Sequence, residues 1–209
     1  MVEEPEGERL TALGTWLRRA LSATQRFLAR HHRWFRTIGA AMILWAFWWE
    51  WQIARDERRL TSSEILMVEA RTDHIYALLE WSMAVSNSEA DSSRDAPHRA
   101  REWALSKGSA RDGARAVSVG FRAAGDSAEA RSRWKTLMRA ADSTVVDLST
   151  LESFLPQVGD HWSDAQDSVR AYRQAIEKTL ARRTPLHLGW YIVGSILLIL
   201  GTHWEGRDA

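Results

Sequence analysis

The chain has 209 residues, and its 28 basic and 27 acidic side chains leave a formal net charge of +1. Because there is no cysteine, disulfides, thiolate nucleophiles and cysteine-bound metals are excluded. The soluble part carries no concentrated basic face, which excludes a nucleic-acid-binding surface, and the length favours a single domain besides any membrane spans.

Residues 1–36 are predicted to hold an N-terminal tail and a basic amphipathic helix. Between residues 8 and 35 the large apolar residues fall within about 140° of arc at about 100° per residue, and six arginines from Arg18 to Arg36 take the opposite side. A helix of this composition suits the surface of an anionic membrane. The alternative is a helix that packs on the soluble domain or on another protein.

Residues 37–54 are predicted to form a first transmembrane helix. Only thirteen uncharged residues lie between Arg36 and Glu50, and they cover about 20 Å. Arg36 can reach back to its headgroups, and Glu50 suits the far interface better than a buried proton relay, which extends the span to about residue 54. The basic region is too long for a cleavable signal peptide, so a signal-anchor is expected.

Residues 55–183 are predicted to form a soluble bundle of four antiparallel helices, because every long segment has helical periodicity and none alternates with a period of two. Breaks are expected at 86–97, at Gly125 and Asp126, and at 156–160. The first helix continues from the first span and carries an apolar stripe of Leu60, Ile65, Val68, Ile75, Leu78, Leu79 and Met83.

Residues 184–204 are predicted to form a second transmembrane helix. They carry no formal charge and extend for about 32 Å, enough to cross the hydrocarbon of a bilayer. Thr184 and Pro185 resemble an N-cap and a first-turn proline. Residues 205–209 form a short tail. The predicted fold is therefore all-α, an integral membrane protein with two transmembrane helices, a surface helix and a bundle between the spans.

Aromatic and small residues mark the two spans. In a hairpin, the tryptophans after the first span share one membrane face with the start of the second, while Trp34 and Trp204 share the other. The predicted membrane-interface residues are Trp34, Arg36, Trp48, Trp49, Glu50, Trp51, Trp190, Tyr191 and Trp204. The predicted helix-packing residues, which serve either the hairpin or outside partners, are Gly39, Ala40, Ala46, Gly194, Ser195, Gly201 and Thr202.

Charge next to the spans gives conflicting indications of orientation. The arginines before the first span favour a cytoplasmic N-terminus, whereas Lys178, Arg182 and Arg183 before the second span favour the opposite. The first span usually dominates. We therefore expect a multi-pass protein of the bacterial inner membrane with both termini cytoplasmic and an extracytoplasmic bundle.

The sequence offers no catalytic constellation. It has no glycine-rich phosphate loop, no zinc-type pair of histidines, no nucleophile elbow and no Glu-x-x-His motif. Neither catalytic residues nor a metal site are predicted, and the protein is not expected to be an enzyme. His187 and His203 bracket the second span and are either interfacial polar residues or ligands of a haem or pigment. Bound lipid is the expected ligand of the protein.

These patterns favour a non-catalytic accessory subunit of a larger membrane complex, for example a respiratory or photosynthetic one. Seven of the twelve tryptophans lie in or beside the spans, where they would contact integral membrane subunits, lipid or pigment. The alternative is an extracytoplasmic sensor or ligand-binding module that signals through a partner protein.

Overall fold

The computed structural model describes residues 6–90 and 95–205, with the side chains of 15–27, 29–88 and 95–203. This part of the chain contains helices and no strand, which confirms the all-α prediction. The helices are α1 (Glu6–Ala90), α2 (Ala96–Ala123), α3 (Ser127–Thr144) and α4 (Leu148–Glu205).

The chain divides into two compact units. The bundle unit is Ala54–Leu180, and the hairpin unit combines Met1–Ile53 with Ala181–Ala209. Helices α2 and α3 lie wholly in the bundle unit, whereas α1 and α4 contribute to both.

Short polar residues begin the helices of the bundle unit. The carboxylate of Asp95 accepts the His98 backbone N–H at 3.1 Å, and that of Asp126 accepts the Glu129 N–H at 2.8 Å. Gly125 precedes Asp126 with a φ of 77°, a left-handed conformation that glycine adopts without a Cβ penalty. The predicted boundary at Gly125 and Asp126 is confirmed.

The expected break at 86–97 is also confirmed, since α1 ends at Ala90 and α2 begins at Ala96. The breaks expected at 156–160 and at Pro185 are wrong, because α4 runs through both. Pro156 and Pro185 are exposed, and so are Glu152 and Ala181, whose carbonyls lose their helical donor to these prolines. Around Pro156, Phe154 and Val158 are buried and hold the helix to the core. The real break is 145–147, after which the Asp147 carboxylate accepts the Thr150 N–H at 2.9 Å.

The core of the bundle unit is built around α2. Its buried residues are mostly small, so neighbouring helices approach closely. A Cβ added at Gly113 would lie 2.9 Å from Val158 Cγ1, and one at Gly120 would lie 3.0 Å from the Ala165 Cβ. Several large core residues come from α3, α4 and the connection between them: Leu137, Val145, Leu151, Phe154, Val158, Trp162 and Val169. Met67 of α1 and Val117, Val119 and Phe121 of α2 complete this set of large core residues.

Candidate interaction surfaces

Three glycines bring α1 and α4 into backbone contact in the hairpin unit. A Cβ at Gly39 would lie 2.6 Å from Leu198 N, and one at Gly201 would lie 2.7 Å from Arg36 N. A Cβ at Gly194 would lie 3.0 Å from Met42 Cβ. Without side chains at these positions the backbones can approach this closely, as small residues allow in membrane helix pairs.

The remaining small residues of the predicted set lie differently. Ala46 is fully buried and Ser195 is half-buried, whereas Ala40 and Thr202 are exposed. The hydroxyl of Thr202 donates to the Leu198 carbonyl at 3.0 Å, within its own helix. The helix contact therefore brings together three glycines and Ala46, and leaves Ala40 and Thr202 outside.

Large apolar side chains cover the outside of the hairpin unit. Within the two predicted spans, exposed large residues include Leu44, Trp45, Phe47, Trp51, Leu186, Leu188, Ile192, Ile196 and Ile199. Single exposed apolar residues are ordinary on soluble proteins, but a surface made of them marks contact with protein or lipid.

One of the described helices, α4, is long and apolar enough to cross a membrane by length and composition, and 11% of its apolar window is buried within the protein. The 37–54 segment of α1 does not pass the same test, so the two-span prediction is not confirmed. Arg36 and Glu50 lie closer together than the width of a bilayer core. The tryptophans of the 37–54 segment also add less hydropathy than aliphatic residues would, because the indole N–H is polar.

The predicted interface aromatics cluster on α1. Trp48 lies 5.1 Å from Trp45 and 5.5 Å from Trp49 between ring centroids. The guanidinium of Arg183 lies 5.5 Å from the centre of the Trp49 ring, a cation–π contact within the hairpin unit. Glu50, Trp51, Trp190 and Tyr191 are exposed, as are Trp34 and Arg36 farther back on α1. The Trp204 side chain lies outside the described residues.

The predicted surface helix has no boundary of its own. α1 is unbroken from Glu6 through the first predicted span, so no turn separates a surface segment from a spanning one. Trp16, Leu21 and Phe27 are exposed, and the Phe27 ring lies 4.7 Å from that of His31. The side chains of residues 6–14 and 28 lie outside the described part.

The two candidate haem or pigment ligands lie sixteen residues apart on α4. His187 is half-buried and His203 is exposed. Within the described residues, no group of three or more His, Asp or Glu side chains is placed to hold a metal ion.

Within the bundle unit, α1 has two apolar faces. Its inner face packs on the core through small residues seven apart, Ser63, Ala70, Ala77 and Ala84, together with Met67. An apolar stripe on a bundle helix ordinarily faces the core. Here most of the stripe identified in the sequence is exposed instead, with relative exposures of 45–65% at Ile65, Val68, Ile75, Leu78, Leu79 and Met83. The seven-residue repeat of small residues was the signal for the true core face.

Carboxylates that the sequence did not single out meet between α1 and α2. Arg115 Nε lies 3.1 Å from Asp73 Oδ2, and Arg115 Nη2 donates to Glu69 Oε1 at 3.2 Å. The Glu80 carboxylate lies against Gly108, and its Oε2 is buried without a hydrogen-bond partner. Burial raises the pKa of the Glu80 carboxyl, and the nearby Asp112 raises it further.

A buried lysine joins α2 to the end of α3. Lys107 Nζ donates to the carbonyls of Ala141 and Asp142, at 2.7 Å each. These carbonyls lie in the last turn of α3, where the helix leaves acceptors without intrahelical donors and favours a positive charge. This role could not be predicted from the sequence, because the two partners lie 34 and 35 residues away.

A polar groove of about 520 Å³ lies in the bundle unit, between the start of α2 and the start of α4. Arg99, Glu102, Trp103 and Glu152 line it, and the Trp103 side chain is 51% exposed. Glu102 also accepts the Leu148 backbone N–H at 3.1 Å, which fixes one wall of the groove.

Comparisons with protein-family models, with curated proteins and with solved structures gave no match to this chain.

Proposed function

We propose that this protein is a non-catalytic accessory subunit of a larger membrane protein assembly, such as a respiratory or photosynthetic complex. The apolar outer surface of the hairpin unit carries this proposal. The glycines at the helix contact seat α1 and α4 against each other, so the large residues of both helices face outward. That surface suits lipid and neighbouring membrane helices, not water.

The anchor in this proposal consists of two spans, 37–54 and 184–204. Although 37–54 is short, its close contact with α4 through Gly39 supports a paired hairpin. The cluster of Trp45, Trp48 and Trp49, with Arg183 on the Trp49 ring, suits a membrane–water interface. The location is then the bacterial inner membrane, with both termini cytoplasmic and the bundle unit on the other side.

Bound lipid is the expected ligand of the hairpin unit, and His187 and His203 are the residues that would ligate a haem or pigment. His187 is half-buried, which suits a ligand better than the exposed His203. Absorption spectra of the purified complex, compared between the wild type and His187→Ala, would test it. A visible band that the substitution removes supports ligation.

Co-purification tests the accessory-subunit proposal. A tagged full-length chain, extracted in mild detergent, should bring integral membrane proteins with it in stoichiometric amounts. Alanine at the outward-facing Ile192, Ile196 and Ile199 should reduce that yield. Alanine at three exposed α3 residues, Ser132, Lys135 and Thr136, is the matched control and should not. A chain that purifies without any other membrane protein would contradict the proposal.

The polar groove favours a second candidate, a ligand-binding sensor that signals through a partner. Its walls combine an aromatic face with both charges, at Trp103, Arg99 and Glu102, which suits a small polar ligand. A thermal-shift screen of the full chain in detergent tests this. A ligand that stabilises the wild type but not Trp103→Ala would support it, and a flat response across the panel would contradict it.

A further inference from the structure

We propose that two copies of this chain associate side by side through the outer face of α1 in the bundle unit. The outer stripe is defined here by its exposed apolar members, Ile65, Val68, Ile75, Tyr76, Leu79 and Met83. The contact goes beyond the proposed function. Only its parallel direction rests on that function, because copies anchored in one membrane enter it from the same side.

The spacing of the stripe is that of a coiled-coil seam. Positions 61, 65, 68, 72, 75 and 79 alternate steps of four and three, which gives the 3.5-residue repeat of two supercoiled helices. The seam residues are apolar or small: Thr61, Ile65, Val68, Thr72, Ile75 and Leu79. The inner face of the same helix, with Ala70 and Ala77, lies about 180° away. The helix can therefore pack on its own bundle and on a partner at once.

The size of the stripe matches a dimer contact. Ile65 is 65% exposed and Val68 is 64% exposed, and the other four members are each about half exposed. Together with the neighbouring Leu78 they present roughly 700 Å² per copy, close to the about 800 Å² per partner of a standard interface. Contiguous apolar patches of this size on a monomer generally mark interaction sites.

The charges beside the stripe are compatible with a second copy in register. In a parallel pair, Glu64 of one copy faces Glu69 of the other, which would repel if both were bare. Each has its own counter-ion, however. Arg173 Nη2 donates to Glu64 Oε1 at 2.6 Å, and Arg115 Nη2 donates to Glu69 Oε1 at 3.2 Å.

One further flanking pair is attractive. Arg71 of one copy takes the position opposite Tyr76 of the other, where a guanidinium can lie over an exposed aromatic ring. No uncompensated like charges therefore face each other on the flanks. In the seam, each residue pairs with the same residue of the other copy, as a two-fold contact requires. A second copy accordingly fits the stripe without any further partner.

Single-cysteine cross-linking tests the contact directly, because the chain has no cysteine of its own. Ile65→Cys and Leu79→Cys lie about 21 Å apart along the seam, so both self-link only when the helices are parallel and in register. Ser132→Cys, on the exposed side of α3, is the control. In native membranes under mild oxidation, the seam variants should form covalent dimers at least about tenfold faster than the control, because the contact holds the thiols at high effective concentration.

Three results would overturn the proposal. They are equal rates for the three variants, seam thiols that do not link, and efficient linking only between Ile65→Cys and Leu79→Cys chains mixed together, which indicates an antiparallel pair. As an independent measurement, native mass of the detergent-solubilised wild type should be that of a dimer and that of Ile75→Asp a monomer. A monomeric wild type would also overturn it. These readouts are separate from co-purification of other subunits, so the accessory-subunit proposal can fail while the dimer stands, and the reverse.

Discussion

At the scale of single residues, the role of Lys107 depends on partners that are distant in the sequence. Lys107 is one of three lysines in the chain, and nothing in its local sequence distinguishes it. Its two acceptors come from another helix, so only the fold shows that it closes the end of α3. The glycines of the hairpin unit are different. Small residues within apolar segments generally lie at helix contacts, so the sequence alone predicted Gly39, Gly194 and Gly201 as helix-packing residues.

Replacing Lys107 by methionine should destabilise the protein. The substitution removes the donor from a buried carbonyl, that of Ala141, and from a partly buried one, that of Asp142, which costs about 1.5–3 kcal/mol for hydrogen bonds to a charged group. Thermal unfolding of the full chain in detergent measures it. Lys135→Met removes an exposed lysine from α3 and should change the free energy of unfolding by less than about 0.5 kcal/mol. Equal effects of the two substitutions would contradict the role of Lys107.

Glu80 should make stability depend on pH. Burial, with help from Asp112, raises its pKa in the folded state above the ordinary value of 4.5. Its stabilising contribution is therefore present when the carboxyl is protonated, below its unfolded pKa, and is lost as the pH rises through the folded pKa.

Glu80→Gln should accordingly raise the melting temperature near pH 8 and have less effect near pH 4, since the amide mimics the protonated acid. Glu152→Gln, an exposed glutamate on α4, is the control and should show no such difference. A Glu80→Gln profile parallel to that of the wild type across this range would show that Glu80 does not titrate differently in the folded state.

At the scale of the helices, periodicity predicted that the segments are helical but not which face is buried. α1 carries two apolar stripes, and hydropathy favours the one with large residues, Ile65 to Met83, over the row of Ser63, Ala70, Ala77 and Ala84. The core accepts the small row because α2 packs closely, as the buried Ala110 and Ala114 show. Hydropathy alone therefore favours the wrong face, and the seven-residue spacing of the small row is the sequence signal for the buried one.

Some helix ends were predicted from a local turn and cap, and others were missed. Gly125 and Asp126 carry their own turn and cap, and both behave as predicted. Pro156 ordinarily interrupts a helix, but Phe154 and Val158 on either side are buried and keep α4 continuous. Asp147 immediately precedes α4. In the sequence it lies within a predicted apolar helical stripe, so this helix start was not predicted.

The helix contact of the hairpin unit should tolerate no side chain at Gly39. Valine there would place its Cβ 2.6 Å from a backbone nitrogen, that of Leu198, which cannot move aside as a side chain can. We expect a loss of at least about 1–3 kcal/mol, as for overpacking in a core. Gly189→Val is the matched control, because nothing lies within 4 Å of a Cβ at that position. Thermal unfolding in detergent compares the two variants, and equal melting temperatures would refute the close contact.

At the scale of the whole molecule, the sequence predicted an all-α protein with water-soluble and apolar parts, and the described helices confirm the all-α class. One apolar helix, α4, could cross a membrane, and the span at 37–54 remains a proposal. The sequence could not decide whether 37–54 crosses, because this short segment depends on its partner helix and on interfacial tryptophans. The contributions of the partner helix and of the interfacial tryptophans to membrane insertion cannot be summed residue by residue along the sequence.

The topology of the proposal can be read from protease protection. A tag inserted between residues 91 and 94 should be cut from the periplasmic side of spheroplasts, while tags at both termini stay protected. This result follows if both 37–54 and 184–204 cross, because two crossings return the chain to its original side. Termini on opposite sides would mean a single crossing and contradict the two-span anchor.

The central claim is that lipid surrounds the hairpin unit, and alkaline carbonate extraction of native membranes tests it most directly. The treatment strips proteins held on a membrane by charge or by contact with other proteins, but leaves those embedded in hydrocarbon. The chain should remain in the membrane pellet and enter solution only with detergent. Recovery of the chain in the carbonate supernatant would contradict the account.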